Sequence, residues 1–185
     1  MALCFFLAGS AASQTKSVSE LETEISAFQN IELFSVRYDD RKDATILNLS
    51  IDLLLEEPKL QNDFKEFTFE LSSIYTGIGI DEKPYRTLIC TNSKGKKFYF
   101  ASNRELLVSF GDRPFSVGEA QRTTEVRGKK VTENLCWDIA QSLVREIGSA
   151  KTMTLTIGRI VIPISPEKVS AFGNYSKLLL YPEDE

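Results

Sequence analysis

The side chains able to do chemistry are unevenly supplied. The chain has 26 Asp and Glu residues, three cysteines and no histidine. Without imidazole, neither a Ser-His-Asp nor a Cys-His nucleophile can be assembled. Imidazole-ligated zinc is excluded too, three cysteines fall short of a Cys4 site, and a histidine pH switch has no residue to act through. Carboxylate chemistry stays open, but no spacing singles out an acid–base pair among so many carboxylates. Asp39, Asp40 and Asp43 cluster, yet they lack the calcium-loop pattern with its central glycine. They read as an acidic turn. Gly77-Ile78-Gly79 has two close glycines but no strand-turn-helix context for a phosphate loop. No catalytic residue, metal site or cofactor is assigned, and the enzyme question leans towards no. A carboxylate-based hydrolase is kept as one alternative.

The thiols depend on the start of the chain. Residues 1–12 read MALCFFLAGSAA, an apolar run followed by small residues. Ser10 and Ala12 suit the −3 and −1 positions of export-signal cleavage before Ser13. The run is too short to span a bilayer, which needs about 20 apolar residues, and no transmembrane segment is expected elsewhere. A periplasmic or secreted protein is expected, with residues 13–185 as one domain. Cleavage would remove Cys4 and leave Cys90 and Cys136. An even pair in an oxidising compartment suggests a disulfide. The alternative is two buried thiols behaving as small hydrophobes.

Charge is segregated along the chain although the net charge is only −4. Residues 16–82 carry six basic and fifteen acidic groups, and residues 83–130 carry eleven basic and four acidic. The basic stretch defines the candidate binding face: Lys96, Lys97, Arg113, Arg122, Arg127, Lys129 and Lys130, with Lys94 and Arg104 beside them. Such a face suits a protein partner or an acidic surface ligand. The plainer alternative is neutralisation of the acidic segment across a sheet. An overall acidic chain gives no case for nucleic acid.

The elements that must hold these residues follow from periodicity. Val18, Leu21, Ile25 and Phe28 mark a first helix that ends near Asn30. Alternation predicts strands in IELFSVRY, from Thr45 to Leu53 and around Phe67 to Leu71. TLICT and KKFYFAS read as strands joined by a turn at Asn92-Ser93-Lys94-Gly95. ELLVSF is a further strand, ending at a turn over residues 111–114. Residues 114–131 read as loop with short edge strands. From Glu133 the period changes, and Cys136, Ile139, Ala140, Leu143, Val144 and Ile147 share one helical face, with Thr132 as N-cap and Gly148 at the C-terminus. KTMTLTIGRIVIPIS reads as two short strands joined near Gly158-Arg159, or as one long strand bent there. Ser165-Pro166 starts a last helix that Gly173 can interrupt. The class is α+β, a mainly antiparallel sheet packed against two or three helices. Its 42 % hydrophobic content suffices for a core.

Residues 85–180 resemble a group of bacterial envelope proteins that includes the VasI-like accessory proteins of type VI secretion. The similar pieces are TLICTNSKGKKFYF, LLVSFGDRPFS, a helix, the strand region TLTIGRIVIPIS and a final helix. Cys90 and Asp112 stand where that group has a strand cysteine and a turn aspartate. Cys136 departs from the group's late cysteine. The resemblance covers about half the chain and implies an exported accessory role without catalysis. The expected function is therefore a non-catalytic accessory or binding protein of the cell envelope, engaging an acidic partner through residues 94–130. A small inhibitor or immunity-type protein is the other alternative.

Overall fold

The computed structural model describes residues 15–80, 83–111 and 113–179. The expected export signal at residues 1–12, Asp112 and the tail PEDE lie outside them.

Among the described residues ten strands form two antiparallel sheets. The first strands run as a meander: β1 (Phe34–Asp39), β2 (Ala44–Asp52), β3 (Phe64–Thr76) and β4 (Arg86–Gly95). β8 (Lys130–Asp138) and β7 (Gln121–Arg127) add to β4, giving a six-stranded sheet of order β1-β2-β3-β4-β8-β7. The second sheet has order β10-β9-β5-β6, from β5 (Glu105–Phe110), β6 (Arg113–Glu119), β9 (Met153–Ile157) and β10 (Ile160–Ile164). Only Ala120 separates β6 from β7, so one long arm contributes to both sheets. Both edge strands of the smaller sheet contain a proline, Pro114 and Pro163, a residue with no N–H for a ladder.

Alternation explains the layering. Leu47, Leu49 and Ile51 of β2 and Phe67, Phe69 and Leu71 of β3 are buried on one face. On the opposite face lie Asn48, Ser50, Thr68 and Ser72, partly exposed. The buried face carries one continuous apolar cluster that reaches from Leu21 to Leu179. Helices close it: α1 (Val18–Ser26), the single turn α2 (Leu53–Glu56), α3 (Gln141–Ser149) and α4 (Pro166–Leu178). Phe172 of α4 meets Phe69 of β3 edge-on, with centroids 5.8 Å apart. This is the α+β arrangement that the sequence predicts.

The helix ends are set by polar contacts. Ser17 and Glu20 form a reciprocal capping box on α1. The helix stops at Ser26, and Asn30 is instead a buried residue leading into a 3-10 turn. α4 begins at Pro166, but Ser165 does not cap it with its own side chain. The Glu56 carboxylate accepts from the Ser165 N–H at 2.6 Å, placing negative charge at a helix N-terminus.

Several expected elements differ. The helix expected from Glu133 starts only at Gln141, because β8 continues to Asp138 with Val131, Glu133, Leu135 and Trp137 pointing inward. Thr132 is therefore a strand residue, and Cys136 faces outward beside Cys90. Gly148 is not a C-cap. It lies inside α3, where an added Cβ would collide with Ser176 of α4. At Gly173 an added Cβ would come within 3.1 Å of the Gly148 carbonyl, so both glycines serve a close helix crossing and α4 runs through Gly173 unbroken. KKFYFAS is not a strand, and Asn92 to Gly95 continue β4 instead of turning. Residues 113–127 are full strands with mostly exposed side chains.

Candidate functional site

The sheet end where β3 begins and β4 finishes gathers a cluster of basic side chains. Its geometry rests on Glu133. This residue occupies an inward position of β8 and is 1 % exposed. Among the described residues it is the one buried charged side chain. Its Oε2 accepts from the Tyr99 N–H at 2.6 Å, and Oε1 accepts from the Phe100 N–H at 3.3 Å. Arg122 of β7 donates from Nε at 3.0 Å and Nη2 at 2.7 Å to the same Oε1. The loop after β4 is thus fastened to a carboxylate rather than to a neighbouring strand. That is why KKFYFAS, apolar and aromatic as it is, does not pair. Phe100 enters the core beside Phe64 and Phe67.

Tyr99 completes the fastening. Its hydroxyl donates to the Asp63 carboxylate at 2.8 Å. Burial first, then this hydrogen bond, pushes its phenol up to about 12. The Lys97 ammonium lies 4.8 Å from the Tyr99 ring centre, and the Arg122 guanidinium lies 5.1 Å from that of Phe98.

Register does the rest. Phe64 pairs with Gly95, Gly95 with Val131 and Val131 with Val126. The next residue outward is Lys96 on β4 and Lys130 on β8, while Lys65 is the extra residue of a bulge between Phe64 and Glu66 of β3. Arg127 pairs with Lys130 across a two-residue turn. That turn opens on Gly128 at φ 61°, a conformation that favours glycine, and Lys129 completes it. Lys65, Lys96, Gly128, Lys129, Lys130 and Val131 line one groove of about 430 Å³. All four lysines are exposed. None is in an ion pair among the described residues.

The expected binding residues therefore separate. Lys96, Lys129 and Lys130 come together, with Lys97 adjacent in the loop. Arg127 stands at the same end but is paired with Glu125 at 2.7 Å. Arg122 is held against Glu133 with its side chain 19 % exposed. Arg113 begins β6, in the smaller sheet and at the opposite end of the arm from Arg127, with about 45 Å of extended chain between them. Lys94 is paired with Glu66 and Arg104 with Glu119. Lys65 escaped the sequence pattern because it belongs to the acidic segment. Its signal was its place directly after the buried Phe64, opposite the end of the TLICT strand.

Cys90 and Cys136 are bonded to each other, from paired positions on β4 and β8 with Cα atoms 4.1 Å apart. The bridge is half-buried on the outer, polar face of the six-stranded sheet, away from the lysine groove. A second groove, of about 490 Å³, is lined by Ser102, Asn103, Glu105, Glu119 and Arg159 among others. It carries both signs of charge. Among the described residues no three acidic or cysteine side chains are grouped to hold a metal, and no helix is long and apolar enough to cross a membrane. The lysine end presents several ammonium groups without a fixed acceptor. It can attract and hold negative charge. Comparison of the chain with protein-family models, with curated proteins and with solved structures finds no match.

Proposed function

We propose that this chain is an exported, non-catalytic binding protein of the bacterial cell envelope, and that it engages an acidic partner through the lysine end of β3, β4, β7 and β8. One observation carries the binding part: Lys65, Lys96, Lys129 and Lys130 share one groove without a counter-charge. Concentrated positive charge on a chain of net charge −4 steers an anionic partner to one end. Export is supported by the apolar start of the sequence and by the Cys90–Cys136 disulfide, which belongs in oxidising compartments. The resemblance to envelope accessory proteins agrees with this reading.

Retention on a polyanionic matrix near neutral pH tests it. A protein with a sequence pI near 5.1 has no bulk reason to bind such a matrix. The wild type should be retained at low salt and released as salt rises. The variant with Lys65, Lys96, Lys129 and Lys130 all changed to Ser should flow through, with an unchanged thermal melt. Wild-type protein in the flow-through at the lowest salt would overturn the proposal, as would equal retention of the variant.

A further inference from the structure

Resting on that reading, we infer that the acidic partner is an anionic phospholipid surface, and that the lysine end is the face the protein lays on it. The layout of the charge is the first reason. Lys65, Lys96, Lys97, Lys129 and Lys130 sit at a strand start, a strand end and a hairpin tip, all exposed. They define an outline of the sheet's end, not an enclosed site with donors aimed at one group. Lysine ammonium groups are point charges on flexible stems. They suit diffuse, laterally mobile phosphate charge better than a carboxylate held in one orientation, for which arginine forks are preferred. The two nearest arginines are already committed, Arg122 to Glu133 and Arg127 to Glu125.

The second reason is the counter-charge. Glu66 and Glu125 are neutralised by Lys94 and Arg127. Asp63, which accepts the Tyr99 hydroxyl, is the carboxylate of this end with no cation on it among the described residues. Five lysines therefore face a surface with one opposing charge.

The third reason separates a membrane from a soluble polyanion. Phe98 is 47 % exposed and Val126 57 % exposed, and both lie beside the lysines. Val126 pairs with Val131, which lines the groove. Phe98 directly follows Lys97. Exposed apolar side chains among lysines have a use at a lipid interface, where they enter the boundary between headgroups and acyl chains. Against a purely hydrophilic polymer they would have none.

Co-sedimentation of the full chain with vesicles tests the inference. One set is phosphatidylcholine alone and the other is equimolar phosphatidylcholine and phosphatidylglycerol. The wild type should partition onto the anionic vesicles only, and less as salt rises. Each lysine removed should weaken partitioning about fivefold, so the four-lysine variant should remain in the supernatant. Because both proteins share the same N-terminus, their difference reports on the lysines. Phe98→Ser should weaken vesicle binding severalfold while leaving retention on the polyanionic matrix unchanged. Val126→Ser, at a side chain with more than half its surface free, should do the same without touching the Arg122 contact. Retention on the matrix without vesicle binding would overturn the lipid assignment and leave the acidic-partner reading standing. Equal vesicle binding by the four-lysine variant would also overturn it.

Discussion

Two arginine–carboxylate pairs join neighbouring strands of the six-stranded sheet, one on each face. Arg86 and Asp138 meet on the outer face in a fork, with Nε to Oδ1 at 2.6 Å and Nη2 to Oδ2 at 2.9 Å. Arg122 and Glu133 meet on the inner face, where both arginine nitrogens reach a single oxygen. By geometry alone the outer pair is the better one. Its side chains are 43 % and 53 % exposed, however, against 19 % and 1 % for the inner pair. Water solvates the outer charges whether or not they touch. The inner carboxylate has no such alternative, and it also holds two backbone N–H groups of the loop that carries Lys96 and Lys97. Burial and the number of dependent donors, not the fit of the fork, decide which pair the fold needs.

The largest expected effect follows from breaking the inner pair. Glu133→Ala leaves Arg122 half-buried without its partner and strips the Tyr99 and Phe100 N–H groups of their acceptor. A destabilisation of about 3–5 kcal/mol is expected, read as a lowered urea midpoint. A loss below about 1 kcal/mol would put this pair in the class of exposed ones and remove the contrast.

Next in size is the cross-link on the outer face. Replacing Cys90 and Cys136 together by Ala opens a 46-residue separation and should cost about 2–4 kcal/mol, mainly by freeing the unfolded chain. The test is the denaturation midpoint of this variant beside that of unreduced wild type. Equal midpoints would show that the outer face contributes little by any route.

The smallest effect should come from the outer ion pair. A double-mutant cycle over Arg86→Ala and Asp138→Asn should give a coupling of about 0–1 kcal/mol, fading as salt rises. The Arg86 hydrogen bond holds the Asp138 carboxyl below its ordinary value. Its contribution is therefore present above that ordinary value and lost as pH falls through the depressed one. Asp138→Asn should flatten this part of the acid limb. A coupling as large as that of Arg122 with Glu133 would sink the burial argument.

The same contrast explains what the sequence made legible. Strands whose alternation was unbroken, such as Thr45 to Leu53 and Phe67 to Leu71, were readable, and so was the start of α4 at Pro166. The hairpin at Gly158-Arg159 and the pairing of Cys90 with Cys136 were each one of two readings that the sequence left open. Failure concentrated around Glu133. A charged residue at an inward position hid the alternation of Val131, Leu135 and Trp137, so a helix was expected there. Its partners, the N–H groups of Tyr99 and Phe100, lie more than thirty residues away. No local pattern reports that a loop will be bound by a distant carboxylate. The candidate site was half legible for a related reason. Sequence showed where positive charge concentrates, but register decided that Lys65 joins Lys96, Lys129 and Lys130 while Arg113 stands apart.

The prolines on the smaller sheet bear on how the protein behaves in a crowd. Phe110 pairs with Arg113 and Ile157 with Ile160, the first pair of each ladder. In an antiparallel ladder the hydrogen-bonded pair that closes a hairpin is followed by a non-hydrogen-bonded pair, and the two kinds alternate from there. Pro114 opposite Ser109 and Pro163 opposite Thr154 therefore fall where a backbone nitrogen would point away from the sheet, towards any newcomer. With no N–H there, neither margin offers a continuous template to another chain. Edge-to-edge addition of another copy is therefore disfavoured at both margins of this sheet.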